Sequence, residues 1–453
     1  MNIFFMSMGC AKNSVDSEHL IGLLEAGGHK IVGNSNDAQA GLINTCGFIQ
    51  DAVKENIDAI LDLEALKERG KLEKIIVTGC LVNRYEADLR RELPSVDLWA
   101  GAEERDKILD FLSEGTSPVH RTTNCLPRGL LPDGSPWTRC LKVGEGCDTF
   151  CSYCTIPLIR GRLRSVPVPE LVEEARSLCA SGAKELCLVG QDLTAYGRDI
   201  DGTPHIRDLL SALDDALPEG TWLRLLYLHP DRVTPEFLDF LAEKEKVLPY
   251  LDIPIQHIDD AILAAMNRSP ASAHIRKIFR YLREKNPLFT LRTTIMVGFP
   301  GETEEQFSRV LDFLEEMEPD RVGAFLYSPE EGTKAALLPG QIPDEIKEER
   351  YERLMSLQAE ISQERNALFV GKRLQVLVEE IEGAETPGRS PIHDSDADAL
   401  DSCSAWGRSW RDAPEVDGMV CIEDGAGLEP GDLVEVEITD AAEYDLFGRR
   451  LRS

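Results

Sequence analysis

Over the first part of the chain, short apolar runs alternate with stretches of helical period. Asn2–Ser7, Ala40–Asn44 and Lys74–Thr78 are apolar at their centres, and segments 16–26, 51–68 and 103–113 carry amphipathic helical patterns. This alternation predicts an α/β domain with a parallel sheet over residues 1–125. Pro127, Gly129, Pro132 and Gly134 then mark 122–136 as a linker. From Trp137 a longer β/α alternation begins. Its predicted strands are Arg139–Val143, Glu185–Val189, Leu223–Tyr227, Tyr250–Ile253, Leu291–Val297 and Arg321–Leu326. Pro169 suits the first turn of one intervening helix, and Thr303-Glu304-Glu305-Gln306 is a capping-box sequence opening another. Six such units predict a partial or full α/β barrel over 133–367, closed by a charged helix at about 344–368.

The period then changes to two. Leu374–Glu382, Gly418–Glu423 and Asp432–Thr439 alternate apolar and polar residues and predict a small β-barrel over 368–453. Between them, Glu385–Ala405 is rich in Asp, Ser and Pro and reads as an exposed insertion. The fold class is therefore α/β, with three domains of different architecture.

Charge narrows the function. Asp plus Glu number 80 against 49 Lys plus Arg, a formal net charge of −31. A chain this acidic is a poor general binder of nucleic acid or anionic membrane, and a basic partner suits it better. No apolar run reaches the roughly 18–20 residues needed to span a bilayer. Met1–Met8 reads as a strand without a basic leader, so the expectation is a cytoplasmic protein.

The twelve cysteines are too few and too irregular for a disulfide scaffold in a chain of 453 residues. Three of them form the CxxxCxxC of Cys147, Cys151 and Cys154, in a loop after the first barrel strand. Three thiolates can hold three irons of a 4Fe–4S cluster and leave the fourth open to a ligand. Zinc would call for a fourth ligand, and no His or Cys follows closely. A dispersed set, Cys10, Cys46 and Cys80, follows the ends of three predicted strands. In a parallel sheet those ends share one edge, so the three either converge as a second cluster site or are small residues in tight βα turns. Cys125, Cys140, Cys179, Cys187, Cys403 and Cys421 lie singly and read as separate core or incidental thiols.

The CxxxCxxC at the first strand of an α/β barrel, with Tyr153 before its third cysteine, resembles the radical S-adenosylmethionine superfamily. Three further cysteines on a preceding α/β domain, and a β-barrel tail, are similar to its methylthiotransferase family. The resemblance covers essentially the whole chain. It implies two 4Fe–4S clusters, S-adenosylmethionine, an electron donor and a C-terminal TRAM domain. Cys147, Cys151 and Cys154 would hold the radical cluster, and Cys10, Cys46 and Cys80 an auxiliary cluster that carries the inserted sulfur.

Two branches of that family differ in substrate. One modifies an adenosine in tRNA, and the other modifies the β-carbon of an aspartate in small-subunit ribosomal protein twelve. Met8-Gly9-Cys10-Ala11-Lys12-Asn13-Ser14-Val15-Asp16-Ser17-Glu18, Pro249–His257, Ala413–Gly418 and Glu443–Leu446 resemble the second branch. Charge agrees: from residue 366 onward there are 20 acidic and 8 basic residues. An RNA-holding domain should be basic, whereas an acidic one suits a basic ribosomal protein and no stable nucleic-acid partner. A merely solvated acidic face is the alternative. A non-catalytic iron–sulfur scaffold is the reading from another class, but a scaffold has no need of an open iron.

Further candidates follow from the resemblance. Gln191 and Asp192, after the second barrel strand, stand where superfamily members bind the amino end of S-adenosylmethionine, or form a plain turn. Gly298–Glu302 either lies along the adenosine or is a tight turn. Arg292 is placed to meet a carboxylate inside the barrel or is simply paired, and Tyr153 adjoins the cluster. Arg160, Arg162 and Arg164 form a basic run that contacts an acidic substrate or the cofactor carboxylate or, the reading preferred, is an exposed, solvated loop; His229 and His257 are lone histidines, neither read as a ligand.

Overall fold

The computed structural model describes residues 1–113, 127–269, 271–381 and 403–451. Cys125, the start of the expected linker and residues 385–402 of the expected exposed insertion lie outside the described residues; Cys403 and Ala405, at the end of that insertion, are buried.

The N-terminal sheet contains β1 (Asn2–Ser7), β2 (Lys30–Val32), β3 (Ala40–Thr45), β4 (Lys74–Gly79) and β5 (Leu98–Gly101). All pairs are parallel, in the order β2-β1-β3-β4-β5. Helices α1 (Ala11–Ala26), α2 (Gln50–Glu68), α3 (Cys80–Glu92) and α4 (Arg105–Ser113) connect and cover it. Every residue of β3 is buried, which is why it reads as a continuous apolar run. The pattern missed β2, β5 and α3. The two strands have three and four residues, and α3 buries only Cys80, Leu81, Val82 and Leu89 of an otherwise charged segment.

The central domain begins with β6 (Thr138–Lys142). A short antiparallel ladder follows, pairing β7 (Gly144–Glu145) with β8 (Arg164–Ser165) and tying together the two ends of the cysteine loop. Then come β9 (Glu185–Val189), β10 (Trp222–Leu225), β11 (Val247–Asp252), β12 (Thr290–Val297) and β13 (Arg321–Leu326). With β6 they form an open six-stranded sheet, β13-β12-β11-β10-β9-β6, so the barrel is partial. The predicted capping box forms: the Thr303 hydroxyl accepts from the Gln306 amide while the Gln306 side chain accepts from the Thr303 amide.

One face of the sheet packs on its own helices through residues such as Leu186, Leu188, Leu209 and Phe237. The other face meets both neighbouring domains. Cys187, Val189 and Tyr250 cluster there with Val15 from α1 and with Leu377 and Ala413 from the C-terminal domain. The last domain is a closed barrel of β14 (Arg373–Ile381), β15 (Ala405–Ser409), β16 (Val420–Ile422), β17 (Leu433–Ala441) and β18 (Leu446–Arg450), in the order β14-β15-β16-β18-β17. The reading of Cys403 and Cys421 as separate thiols is corrected here. Antiparallel pairing of β15 with β16 brings their Cα atoms within 5.5 Å, and a disulfide joins them. Among the described residues no helix is long and apolar enough to cross a membrane.

Buried ion pairs lock the last two domains together. The Glu185 carboxylate accepts from Arg224 Nε at 2.6 Å and from Arg408 Nη2 of the C-terminal barrel at 2.6 Å. Burial alone would raise its pKa, but the two guanidinium groups hold it down at about 2. Its stabilising contribution is therefore complete above the ordinary glutamate range and is lost as pH falls toward that value. Glu185→Gln leaves two buried cations short of a counter-charge. The expected outcome is a loss of about 3–5 kcal/mol at neutral pH by urea denaturation, with a weaker acid dependence than the parent below about pH 4.

Candidate functional site

The sheet order places β1, β3 and β4 side by side. Cys10, Cys46 and Cys80 follow their C-terminal ends, where open parallel sheets bind ligands. Cys10 is the N-cap of α1, and Cys80 is the first residue of α3. The connections are tight. Gly9 has φ +98°, and a Cβ there would lie 2.8 Å from Cys46 Cβ and 3.1 Å from its Sγ. Gly79 has φ +108°, and a Cβ there would collide with the Thr45 backbone. Larger residues would push the three thiols apart. The Cys46 amide donates to Asn56 Oδ1 at 2.9 Å, which fixes its turn.

The thiols differ in acidity. Desolvation by the surrounding protein opposes ionisation of Cys10. The Lys12 ammonium, the backbone N–H groups of Asn13 and Lys12 and the Arg160 guanidinium outweigh it and bring the pKa below the usual thiol value. Burial raises Cys46, and it raises Cys80 to about 11 despite Arg160.

The second thiol group is held in a loop that other elements clamp. The Ser152 amide donates to Met266 O at 2.9 Å, and Asn267 Nδ2 donates to Phe150 O at 2.9 Å. The Cys154 amide donates to Cys151 O at 3.1 Å, a turn that sets these two thiols on one side. Phe150 sits in the left-handed region at φ +51°, a strained conformation of the kind found at functional sites. Arg268 Nη1 lies 3.6 Å from Cys151 Sγ and 3.4 Å from the Tyr153 hydroxyl. Burial raises Cys147, and it raises Cys154 to about 12. Among the described residues no three His, Cys, Asp or Glu side chains form a ready cage for a single metal ion. Each set supplies three thiols, the number that can hold three irons of a 4Fe–4S cluster and leave the fourth open.

The remaining candidates fall around the ends of β9 to β12. Gln191 Nε2 donates to Glu145 at 2.9 Å, while its Oε1 is buried without a partner. Asp192 accepts from Thr194 Oγ1 at 2.6 Å, from the Ala195 amide and from Arg232, so it caps the short turn Leu193–Ala195. Glu302 accepts from the amides of Gly298 and Phe299, which makes that segment a closed turn. Arg292 pairs with Asp252 at 3.0 Å and with Asp417 of the C-terminal domain at 3.4 Å. Asp417 also accepts from the Tyr250 hydroxyl at 2.7 Å. The Ala413–Gly418 motif thus reaches the wall of the barrel.

His229 Nδ1 accepts from the Asp231 amide at 3.3 Å, so Nε2 carries the proton, and that buried atom has no partner. Gln256 Oε1 is likewise orphaned. Gln191, His229 and Gln256 stand beyond the ends of β9, β10 and β11. Unpartnered buried polar atoms near these strand ends fit a polar ligand there.

The sequence reading missed two groups. Arg160 is not in an exposed loop. It is 7% exposed and bonded across the domain boundary, while Arg162 and Arg164 keep 73% and 58% of their side chains exposed as expected. The basic run gave no signal that its first member turns inward behind the short helix α5 (Ile156–Ile159). Lys12 places its ammonium 4.0 Å from the centre of the Tyr227 ring, and the Tyr227 amide donates to Asp252 at 3.0 Å. Contacts therefore run from the Cys10 segment through Lys12, Tyr227 and Asp252 to Arg292 and Asp417.

Three family descriptions match in chain order: "Uncharacterized protein family UPF0004" over 2–101, "Radical SAM superfamily" over 141–314 and "TRAM domain" over 392–451. The combination defines a radical S-adenosylmethionine enzyme with an added N-terminal α/β domain and a TRAM barrel. "Ribosomal protein uS12 methylthiotransferase RimO" of Geobacter sulfurreducens is 41% identical, covering 98% of each chain. The protein of the same name from Desulforudis audaxviator is 42% identical over 99% of this chain and 97% of its own. This chain belongs to the RimO family of radical S-adenosylmethionine methylthiotransferases. Among solved structures, the radical S-adenosylmethionine methyltransferase TsrM of Kitasatospora setae shares the fold. Its TM-score is 0.55 at 16% identity, over 71% of this chain and 72% of that one.

The acidity order predicts labelling. In the metal-free reduced protein near neutral pH, iodoacetamide should modify Cys10 well before Cys80 or Cys154, as read by peptide mass spectrometry. Lys12→Gln should raise the pH at which Cys10 reaches half-maximal rate, since it removes the leading attraction that favours the thiolate.

Proposed function

We propose that this protein methylthiolates the β-carbon of an aspartate in ribosomal protein uS12, in the cytoplasm. The observation that carries the reading is that Cys10, Cys46 and Cys80 follow neighbouring strand ends, where Arg160, from the segment that follows Cys147, Cys151 and Cys154, bonds Cys80. The family relationship and the acidic C-terminal domain support it. In this reading Cys147, Cys151 and Cys154 hold the radical cluster, and Cys10, Cys46 and Cys80 hold the auxiliary cluster. Gln191, His229 and Gln256 offer the unpartnered polar atoms for S-adenosylmethionine. The domains follow as 1–125, 133–367 and 368–453.

Bound there, the clusters and S-adenosylmethionine would supply hydrogen-atom abstraction from an unactivated carbon, the inserted sulfur and the methyl group. The chain's own residues do the rest. Gly9 and Gly79 let the N-terminal thiols approach one another, and the clamped loop 147–154 fixes the second set. Tyr153 packs with Met296, Phe299 and Tyr327 and excludes water from one side. Lys12 and Arg160 place positive charge beside the N-terminal thiols, favouring their ionised forms. Asp192 and Arg292 order the surrounding turns and wall through their ion pairs. A basic substrate segment is steered by the acidic surface, because opposite charge raises encounter rates at low salt.

The test is a competition assay. Anaerobically reconstituted protein receives reductant, sulfide and S-adenosylmethionine, with uS12 and tRNA in one tube. Mass spectrometry should find the methylthio group on an aspartate of uS12 alone; gain on adenosine alone would overturn the substrate assignment. Alanine at Cys147, Cys151 or Cys154 should abolish both cleavage of S-adenosylmethionine and product. Alanine at Cys10, Cys46 or Cys80 should abolish product while cleavage persists.

A further inference from the structure

Arg160 leaves the central domain and enters the N-terminal one. Its Nε donates to Cys80 Sγ at 3.1 Å, and its Nη2 donates to Asn13 Oδ1 at 3.0 Å. Its Nη1 donates to Asp16 at 2.8 Å and to Glu145 at 3.0 Å. Asn13 in turn donates to the carbonyl oxygen of Met8 at 2.6 Å, just before Cys10. One buried guanidinium thus bonds one N-terminal thiol directly and braces the turn that carries a second.

This is more than an interdomain tie. Asp16 and Glu145 already have the Lys142 ammonium between them, and Asp16 has Arg105 at 3.2 Å as well. The carboxylates are served without Arg160, and Nη1 alone would complete its ion pairs. The fork is oriented so that Nε faces sulfur. A donor and a cation beside a metal-bound thiolate favour the reduced, more negative state of the group it ligates.

We propose that Arg160 is a positioning residue of the auxiliary centre, whose bond to Cys80 raises the reduction potential of the cluster held by Cys10, Cys46 and Cys80. This rests on the assignment of those three cysteines made above. Arg160 belongs to the segment that follows Cys154 through α5, so the piece of chain that carries the radical-cluster cysteines also supplies the group that tunes the other centre.

The test uses full-length protein carrying Cys147→Ala, Cys151→Ala and Cys154→Ala, so that the remaining iron reports the auxiliary centre. Iron and sulfide are counted after reconstitution, and the midpoint potential is read by titration followed by electron paramagnetic resonance. Adding Arg160→Gln should lower the reduced-to-oxidised ratio at fixed potential at least tenfold, a downward shift of about 59 mV for one electron. Arg160→Lys, which keeps the charge, should recover part of that shift. Glu145→Gln, which removes one carboxylate partner of Nη1 but leaves the bond to Cys80, should not lower the potential. The inference is overturned if Arg160→Gln loads the same iron and keeps the parent midpoint, or if Glu145→Gln lowers it as far. If Arg160→Gln fails to fold or load, Arg160→Lys is compared with the parent directly, and an unmoved midpoint then overturns the inference. A parent that takes up no iron would instead remove the assignment of Cys10, Cys46 and Cys80 on which the inference stands.

Discussion

The architecture depends on buried arginines that cross domain boundaries. A guanidinium removed from water is tolerated only where carboxylates or carbonyl oxygens meet its several donors at once. Arg128 and Arg139 both reach Glu18 of α1, and Arg160 reaches Asp16 of the same helix. At the other junction Arg408 reaches Glu185, and Arg321 reaches Asp412 at 2.9 Å. Each pairing fixes distance and orientation together, because the planar fork accepts its partners from few directions. The three domains are thereby held in one arrangement, in which the segment following Cys154 bonds the Cys80 thiol through Arg160.

The same pairings account for how the chain carries its charge. Among the described residues, buried charges of both signs pair with one another, and most of the acidic excess behind the net charge of −31 stays on the surface. Such a surface disfavours nucleic acid and favours basic protein.

The C-terminal domain also builds the wall of the central sheet. The turn at Ala413–Gly418 inserts Asp417 between Arg292 and Tyr250 of the central sheet, and Ala413 packs against Val189 and Cys187. Arg292 is thereby matched by two carboxylates, so its charge serves the wall of the barrel. The C-terminal domain and the barrel wall are joined through this contact.

By itself, the sequence determined the order of the three domains, the parallel character of the first two sheets, the capped helix at Thr303 and the two sets of cysteines. These are local: they depend on hydrophobic period, on turn residues and on spacing within a few residues, which the chain writes out in order. The placement of Cys10, Cys46 and Cys80 at one sheet edge was legible because strand ends in a parallel sheet share an edge whatever the loops do. The tertiary structure decided what distance along the chain conceals. Arg160 looks like one of three surface arginines until the N-terminal domain closes over it, and Arg162, two residues on, stays in solvent. Cys403 and Cys421 are separated by 18 positions and meet only when β15 pairs with β16. Arg292 gains Asp417 from a domain more than a hundred residues away. Charge pairing and thiol acidity depend on which groups share a low-dielectric space, and only the folded chain defines that space.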